Sequence, residues 1–134
     1  MSLDRTQLAE MSPLTFAYIG DAVWEMYVRD RIVSELGCKM KMNDIHKKVA
    51  GLVNATFQSS MVELIAQDFL TADELDLVKR GRNCRPGHVN KNNSLAAYRQ
   101  STGFEALLGY LHLIGSEDRL NEIMDKIFEI SKNV

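Results

Sequence analysis

The chain has 134 residues, of which 46% are hydrophobic and 25% charged, and its formal net charge at pH 7 is −2. These values predict one compact domain over residues 1–134, argue against a second folded domain, and provide no overall attraction to nucleic acid. The spacing of Cys38 and Cys84 argues against a zinc site, and the lack of a leader pattern or of an apolar run of about 18 residues predicts a cytoplasmic protein without membrane contact.

Apolar residues recur at three- and four-residue spacing along nearly the whole chain, which predicts an all-α fold. Ser12, followed by proline, is predicted to cap a first long helix that ends at Gly37. Asn43 is predicted to cap a second helix that runs to about Ile65, and an interruption within that span is left open.

The remaining helices follow from similar signals. Thr71 and Glu74 predict a capping box that opens a third helix. Residues 83–93 contain proline, glycine and several asparagines, so this segment is predicted to be an exposed loop. A strongly apolar helix is predicted from about Ser94 to Gly115, and Ser116 is predicted to cap the final helix.

Each of the two most apolar helices carries one carboxylate on an apolar stripe. On a helical wheel, Asp21 shares its stripe with Trp24 and Val28, and Glu105 shares one with Leu108. An unpaired buried charge is strongly destabilising, so each acid is expected to meet a cation, a hydrogen-bond network or a metal ion. On spacing alone, simple pairing of Asp21 with an arginine is an equal alternative.

A glycine lies close to each acid in the sequence. Gly20 precedes Asp21, and Gly109 lies one turn beyond Glu105. Glycine inside a helix is about 1 kcal/mol less favourable than alanine, so both glycines indicate close approach of another backbone. If the two helices cross there, the carboxylates converge on one site, and such a site suits a hard cation such as Mg²⁺, which takes oxygen ligands and retains several waters.

Positive charge is concentrated between Asp76 and Glu105, where the sequence has no acidic residue. A basic segment rich in asparagine and glycine suits contacts to phosphates and ribose hydroxyls, which dominate recognition of A-form RNA. An ordinary solvated basic loop is the alternative. The candidate RNA-binding residues are Lys79, Arg80, Arg82, Asn83, Arg85, His88, Lys91 and Arg99.

Two motifs on the acid-bearing helices carry a family resemblance. Residues 16–23 (FAYIGDAV) resemble the signature helix of the ribonuclease III family, and residues 102–109 (TGFEALLG) resemble its second motif. Residues 80–83 (RGRN), residues 98–105 (YRQSTGFE) and the total length are similar to the Mini-ribonuclease III branch. By this resemblance, which covers nearly the whole chain, the protein is identified as a member of that branch.

The resemblance implies a function and a set of partners. A member of this branch is a Mg²⁺-dependent endonuclease, with Mn²⁺ able to substitute, that cuts double-stranded RNA and leaves 5′-phosphates. The implied structure is the ribonuclease III endonuclease-domain fold as a homodimer, without a separate RNA-binding domain. The implied substrate is precursor large-subunit (23S) ribosomal RNA, with ribosomal proteins as further partners. Asp21 and Glu105 carry over as the catalytic and metal-binding acids.

The sequence departs from the larger family at three acid positions. Ala17 and Leu14 stand where that family has glutamates four and seven residues before the signature aspartate, and Thr102 replaces the aspartate of the second motif. We interpret this difference as a leaner metal site rather than as loss of activity. Thr102 is expected to hold a metal-bound water, and Glu25, one turn beyond Asp21, is an additional candidate ligand.

Two other functions stay open. One is a catalytically inactive RNA-binding or ribosome-associated protein of the same fold, in which Asp21 and Glu105 are relics. The other is a helical dimeric interaction module without a nucleic-acid partner, in which the acids form a polar spot in the interface. For the dimer, Trp24 and Tyr27 are predicted to lie at the seam between subunits.

Overall fold

The structure, a computed structural model, describes residues 3–84 and 94–133 and is all-helical over these ranges, as predicted. The helices in the described part of the chain are α1 (Arg5–Glu10), α2 (Pro13–Leu36), α3 (Met42–Val53), α4 (Ala55–Asp68), α5 (Ala72–Arg82), α6 (Leu95–Leu113) and α7 (Glu117–Ser131).

Several helix ends lie where the sequence predicts them. The Ser12 hydroxyl accepts a hydrogen bond from a backbone N–H in the first turn of α2, and α2 stops at Gly37. Thr71 and Glu74 form the reciprocal capping box of α5, with bonds of 3.2 and 2.9 Å. Ser94 caps α6 through its side chain. Side-chain capping of free backbone N–H groups therefore sets the starts of α2, α5 and α6.

The second predicted helix is two helices. Lys41, not Asn43, occupies the N-cap position of α3, and the helix begins at Met42 without a side-chain cap. The interruption left open in the sequence occurs at Asn54, whose Oδ1 accepts from the Phe57 N–H at 2.8 Å and starts α4. Asn54 thus separates the two helices, because its side chain accepts a hydrogen bond from a free backbone N–H at the start of α4.

Near the N-terminus, α1 is a helix that the apolar pattern does not predict. Asp4 and Gln7 form its capping box, with bonds of 2.8 and 2.9 Å, and Leu8 is buried in the core. Before α7, Ser116 has the predicted N-cap position, but its side chain makes no capping hydrogen bond with the described residues.

The central helix is α6, against which α2, α4, α5 and α7 pack. Trp24 is only 1% exposed, packs edge-on against Phe104 of α6 with ring centroids 5.5 Å apart, and donates to the Leu52 carbonyl at 2.8 Å. The Tyr27 side chain is half-buried and donates to the Asp125 carboxylate. Trp24 belongs to the core of one chain, so its predicted place at a dimer seam is wrong.

None of the helices within residues 3–84 and 94–133 is, on its own, long and apolar enough to cross a membrane. By length and composition, α3 and α4 pass this test only as a pair that is bent by 50°. Both helices contribute buried residues to the core, namely Ile45, Val49, Met61, Val62 and Ile65.

Candidate functional site

At the crossing of α2 and α6, the two backbones touch at two glycines. A Cβ added at Gly20 would lie 1.7 Å from the carbonyl oxygen of Glu105, and one at Gly109 would lie 1.8 Å from the carbonyl oxygen of Phe16. No side chain fits at such distances, so only glycine permits this approach. The prediction that these glycines mark a helix crossing is confirmed.

The crossing brings Asp21 and Glu105 next to each other. Burial, reinforced by the negative charge of Asp21, raises the pKa of Glu105 to about 9 from its ordinary value of 4.5. No ion pair within the described ranges includes either acid, so Asp21 does not pair with an arginine there. The structure therefore holds two adjacent acidic side chains, neither of which forms an ion pair with a cation among the described residues.

The two acids differ in exposure. Glu105 is partly buried, whereas Asp21 is exposed, although the helical wheel predicted burial of its stripe. The reason is that α6 packs on the neighbouring Gly20 and Trp24 and leaves Asp21 at the rim of the crossing. The Asp21 side chain is thus open to solvent, whereas the Glu105 side chain is partly enclosed by the protein.

A third polar side chain, Gln58 of α4, is buried beside Glu105. Gln58 is 2% exposed, and its Nε2 donates to the Val53 carbonyl at 3.0 Å. Its amide lies close enough to Glu105 to lower the pKa of that carboxyl, whereas burial and Asp21 raise it. Gln58 is absent from the predicted site residues, and its only sequence signal is that it lies three and seven residues before the core positions Met61 and Ile65.

This donor set fits a hard cation. Carboxylate and amide oxygens are the ligands that Mg²⁺ takes in proteins, usually one or two carboxylates together with retained waters. Among the residues described, no three His, Cys, Asp or Glu side chains form a group that could hold a metal ion, so the candidate site has two acids. A bound cation would favour the ionised form of Glu105 and so relieve the repulsion between the carboxylates.

Two other candidate ligands have partners elsewhere. Thr102 is buried one turn before Glu105, and its hydroxyl donates to the Tyr98 carbonyl at 3.0 Å. The hydroxyl oxygen can still accept a hydrogen bond from water, so its link to a metal-bound water stays a prediction. Glu25 forms an ion pair with Arg29 at 3.5 Å rather than joining the acid pair.

The predicted RNA-binding residues fall into two sets. Those with a described position lie at the end of α5 and the start of α6, where all but the half-buried Arg82 are exposed: Lys79, Arg80, Arg82, Asn83 and Arg99. The other set, Arg85, His88 and Lys91, lies outside the described residues.

A second glycine contact holds the end of α5 against α6. A Cβ at Gly81 would lie 2.9 Å from Gly103 Cα, and a Cβ at Gly103 would lie 2.4 Å from the Val78 carbonyl oxygen. Arg80 and Arg82 flank Gly81, so the basic end of α5 packs on the same stretch of α6 that carries Glu105. The fold thereby joins the basic end of α5 to residues 102–106 of α6, the segment that includes Glu105.

The raised pKa of Glu105 makes a prediction about stability in the absence of metal. Since the folded pKa of about 9 exceeds the ordinary 4.5, the folded protein retains a proton that the unfolded chain releases between these values, and stability should fall as pH rises through this window. Glu105→Gln removes this proton and should raise the stability by about 1–2 kcal/mol near pH 8, with little change near pH 5. Thermal unfolding in EDTA across this pH range measures the effect.

The control for this experiment is Glu129→Gln, which alters an exposed acid of α7. Its melting temperature should follow that of the unchanged protein at every pH. If the stability of Glu105→Gln fell with rising pH as steeply as that of the unchanged protein, a group other than Glu105 would be the one that holds the proton.

Comparison with known proteins places these features in a family context. Residues 14–116 match the Ribonuclease III domain, a range that contains Asp21, Gln58 and Glu105. The chain is 40% identical over 126 residues to Mini-ribonuclease 3 of Clostridium tetani, which covers 94% of this chain and 82% of that protein. It is also 40% identical over 121 residues to Mini-ribonuclease 3 of Staphylococcus aureus, with 90% and 89% covered. The crystal structure of protein FN1578 from Fusobacterium nucleatum superposes with a TM-score of 0.80 at 25% identity and covers 92% of this chain and 97% of that one.

Proposed function

This chain belongs to the ribonuclease III family of endoribonucleases, and we propose that it cuts double-stranded RNA with Mg²⁺ held by Asp21 and Glu105. The observation that carries the proposal is the pair of adjacent acids at the α2–α6 crossing, neither of which forms an ion pair within residues 3–84 and 94–133. Mn²⁺ has the same preference for oxygen ligands and should substitute. An inactive RNA-binding protein would need the basic end of α5 but would gain nothing from two destabilising acids.

The residues of the chain divide the work of this reaction. A bound divalent cation supplies polarisation of the phosphodiester and activation of the attacking water. The exposed Asp21 and the partly buried Glu105 would hold the cation, and the backbone contact at Gly20 fixes the relative position of the two helices that carry them. The cations at the end of α5 orient the RNA backbone. We propose a 3′-hydroxyl and a 5′-phosphate as the products.

We extend the proposal to a homodimer in which a face of α2 forms the seam. Four residues at four-residue spacing lie exposed along this face: Leu14, Tyr18, Ala22 and Met26. Tyr18 is 81% and Met26 is 62% exposed, and large apolar side chains aligned on one helix face are typical of an interaction surface. The seam proposed here replaces Trp24 by Tyr18 and Met26.

The finer substrate that we propose is precursor 23S ribosomal RNA in the cytoplasm, with ribosomal proteins as further partners. Its support is the similarity of residues 80–83 and 98–105 to the Mini-ribonuclease III branch. Both segments include residues of the α5–α6 contact, Gly81 in the first and Gly103 in the second. The same contact supports our proposal that this domain binds the RNA itself.

The test of the proposed function is cleavage of a labelled perfect RNA duplex, with its single strand as the matched substrate. Duplex cleavage should occur with Mg²⁺ or Mn²⁺, stop in EDTA and fail with Ca²⁺, while the single strand stays intact. If a generic duplex resists, a stem of precursor ribosomal RNA is used. Binding of both duplexes without cleavage in Mg²⁺ and Mn²⁺ would instead support the inactive RNA-binding protein.

The basic end of α5 makes a separate prediction for binding. Arg80→Gln and Arg82→Gln should each weaken duplex binding and lower the slope of log K against log salt concentration by about one, since each removes one phosphate contact. The binding curve is measured in Ca²⁺ over a range of salt concentrations. Arg29→Gln, which alters a cation of α2 that pairs with Glu25, is the control and should leave the slope unchanged. Unchanged slopes in all three variants would show that neither Arg80 nor Arg82 contacts the phosphates, and that the RNA-binding surface lies elsewhere on the protein.

A further inference from the structure

The buried amide of Gln58 is only half satisfied. Its Nε2 donates to the Val53 carbonyl, but its Oε1 has no hydrogen-bond partner among the residues that the structure describes. A buried acceptor without a donor is destabilising by about 1–3 kcal/mol, and in native proteins such a group commonly has a functional reason. A glutamine at this core position therefore requires an explanation that packing does not give.

The orientation of the amide is fixed by its surroundings. Val53 is the last residue of α3, and the chain breaks at Asn54 before α4 begins. The Phe57 N–H bonds to the Asn54 side chain instead of the Val53 carbonyl, which leaves that carbonyl to Gln58 Nε2. An amide flip would set two oxygens against each other, so Oε1 must be the free atom.

Gln58 lies beside the acid pair, where an unpaired oxygen has a use. Its amide contacts the Glu105 side chain, and Glu105 in turn contacts Asp21. An amide oxygen is a ligand for hard cations and an acceptor for the water molecules that such cations retain. Groups next to the ligands commonly orient them, and their loss weakens metal binding by about 10–100-fold.

We propose that Gln58 is a positioning residue of the cation site: its Oε1 accepts a hydrogen bond from the hydration shell of the cation, and its amide holds the Glu105 carboxylate in place. The proposal rests on the proposed function, since it presupposes a divalent cation at Asp21 and Glu105. It adds a third helix, α4, to a site that the sequence motifs assign to α2 and α6 alone.

The test measures cation affinity without RNA, from the rise in melting temperature during Mn²⁺ and Mg²⁺ titration. Gln58→Leu removes both polar atoms at similar volume and should weaken cation binding about tenfold. Gln58→Glu also loses the donor to Val53, but it keeps oxygens next to Glu105, so its cation affinity should equal or exceed that of the unchanged protein. Rescue by glutamate separates a role toward the cation from a role in packing.

The matched control is Gln100→Leu. Gln100 of α6 also has a buried Oε1 without a partner among the described residues, but it does not affect the pKa of Glu105. This variant should bind cations as the unchanged protein does. Equal cation affinity in Gln58→Leu, or an equal loss in Gln58→Leu and Gln58→Glu, would overturn the proposal. If the unchanged protein itself shows no cation-dependent stabilisation, the proposed metal site fails and the role of Gln58 fails with it.

Discussion

Asp21→Asn is expected to lower cleavage of duplex RNA by about 10²–10⁴-fold and to leave duplex binding nearly unchanged. Asparagine keeps the size of the side chain but removes one of the two negative charges that would hold the cation. Asp21 is exposed at the rim of the crossing and makes no ion pair within the described residues, so its loss should not disturb packing. Single-turnover cleavage in Mg²⁺ and duplex binding in Ca²⁺ measure the two effects separately.

The same substitution should also change the state of Glu105. Asp21 is one of the causes that raise the pKa of Glu105, so its neutralisation should move that pKa back towards 4.5 and reduce the loss of metal-free stability with rising pH. Thermal unfolding in EDTA detects this change without any RNA. It therefore tests the contact between the two acids even if cleavage is not observed.

The control for Asp21→Asn is Glu25→Gln, which alters an acid one turn further along α2. Since Glu25 pairs with Arg29, its substitution should change cleavage by no more than about threefold. A large loss of cleavage in Glu25→Gln would make it a third metal ligand. Full cleavage by Asp21→Asn would contradict the central assignment of the site.

Gly20→Ala is expected to destabilise the protein by about 3 kcal/mol or more, or to prevent folding. The added Cβ would lie 1.7 Å from the Glu105 carbonyl oxygen and 2.6 Å from its carbonyl carbon. These are backbone atoms of a central helix and cannot rotate away, so α2 and α6 must separate. For a domain of this size the melting temperature should fall by roughly 6 °C or more.

Gly51→Ala is the matched control for the crossing. Gly51 also lies inside a helix, α3, but an added Cβ there would have nothing within 4 Å. The better helix propensity of alanine should then stabilise the protein by up to about 1 kcal/mol. Opposite signs at Gly20 and Gly51 would establish that backbone contact, not helix propensity, decides the effect. Equal melting temperatures in both variants would mean that the helices do not touch at Gly20.

The sequence predicts the parts of this fold that depend on one segment at a time. The all-α class and the starts of α2, α5 and α6 follow from apolar spacing and from caps such as Ser12, Thr71 and Ser94. The misplaced cap at Asn43 shows the limit of such signals, because an asparagine caps a helix only where the chain turns. Asn54, eleven residues later, meets that condition.

The site is predicted in part for the same reason. An acid on an apolar stripe with a glycine close by is visible within one helix, so Asp21 and Glu105 could be identified. Gln58 could not, because its meaning depends on α4 lying against α6. The exposure of Asp21 and the contact between Gly81 and Gly103 likewise arise only when particular helices meet.

The contact at Gly20 also bears on how this protein can evolve. The three atoms nearest to an added Cβ at Gly20 are all backbone atoms of Glu105, so this contact does not depend on which side chain stands at position 105, and the Asp21 side chain is not among them. A change of one nucleotide can turn either acid into its amide and leave the architecture intact. Descendants that lose the chemistry can therefore inherit the shape, so a matching fold alone does not identify an active enzyme.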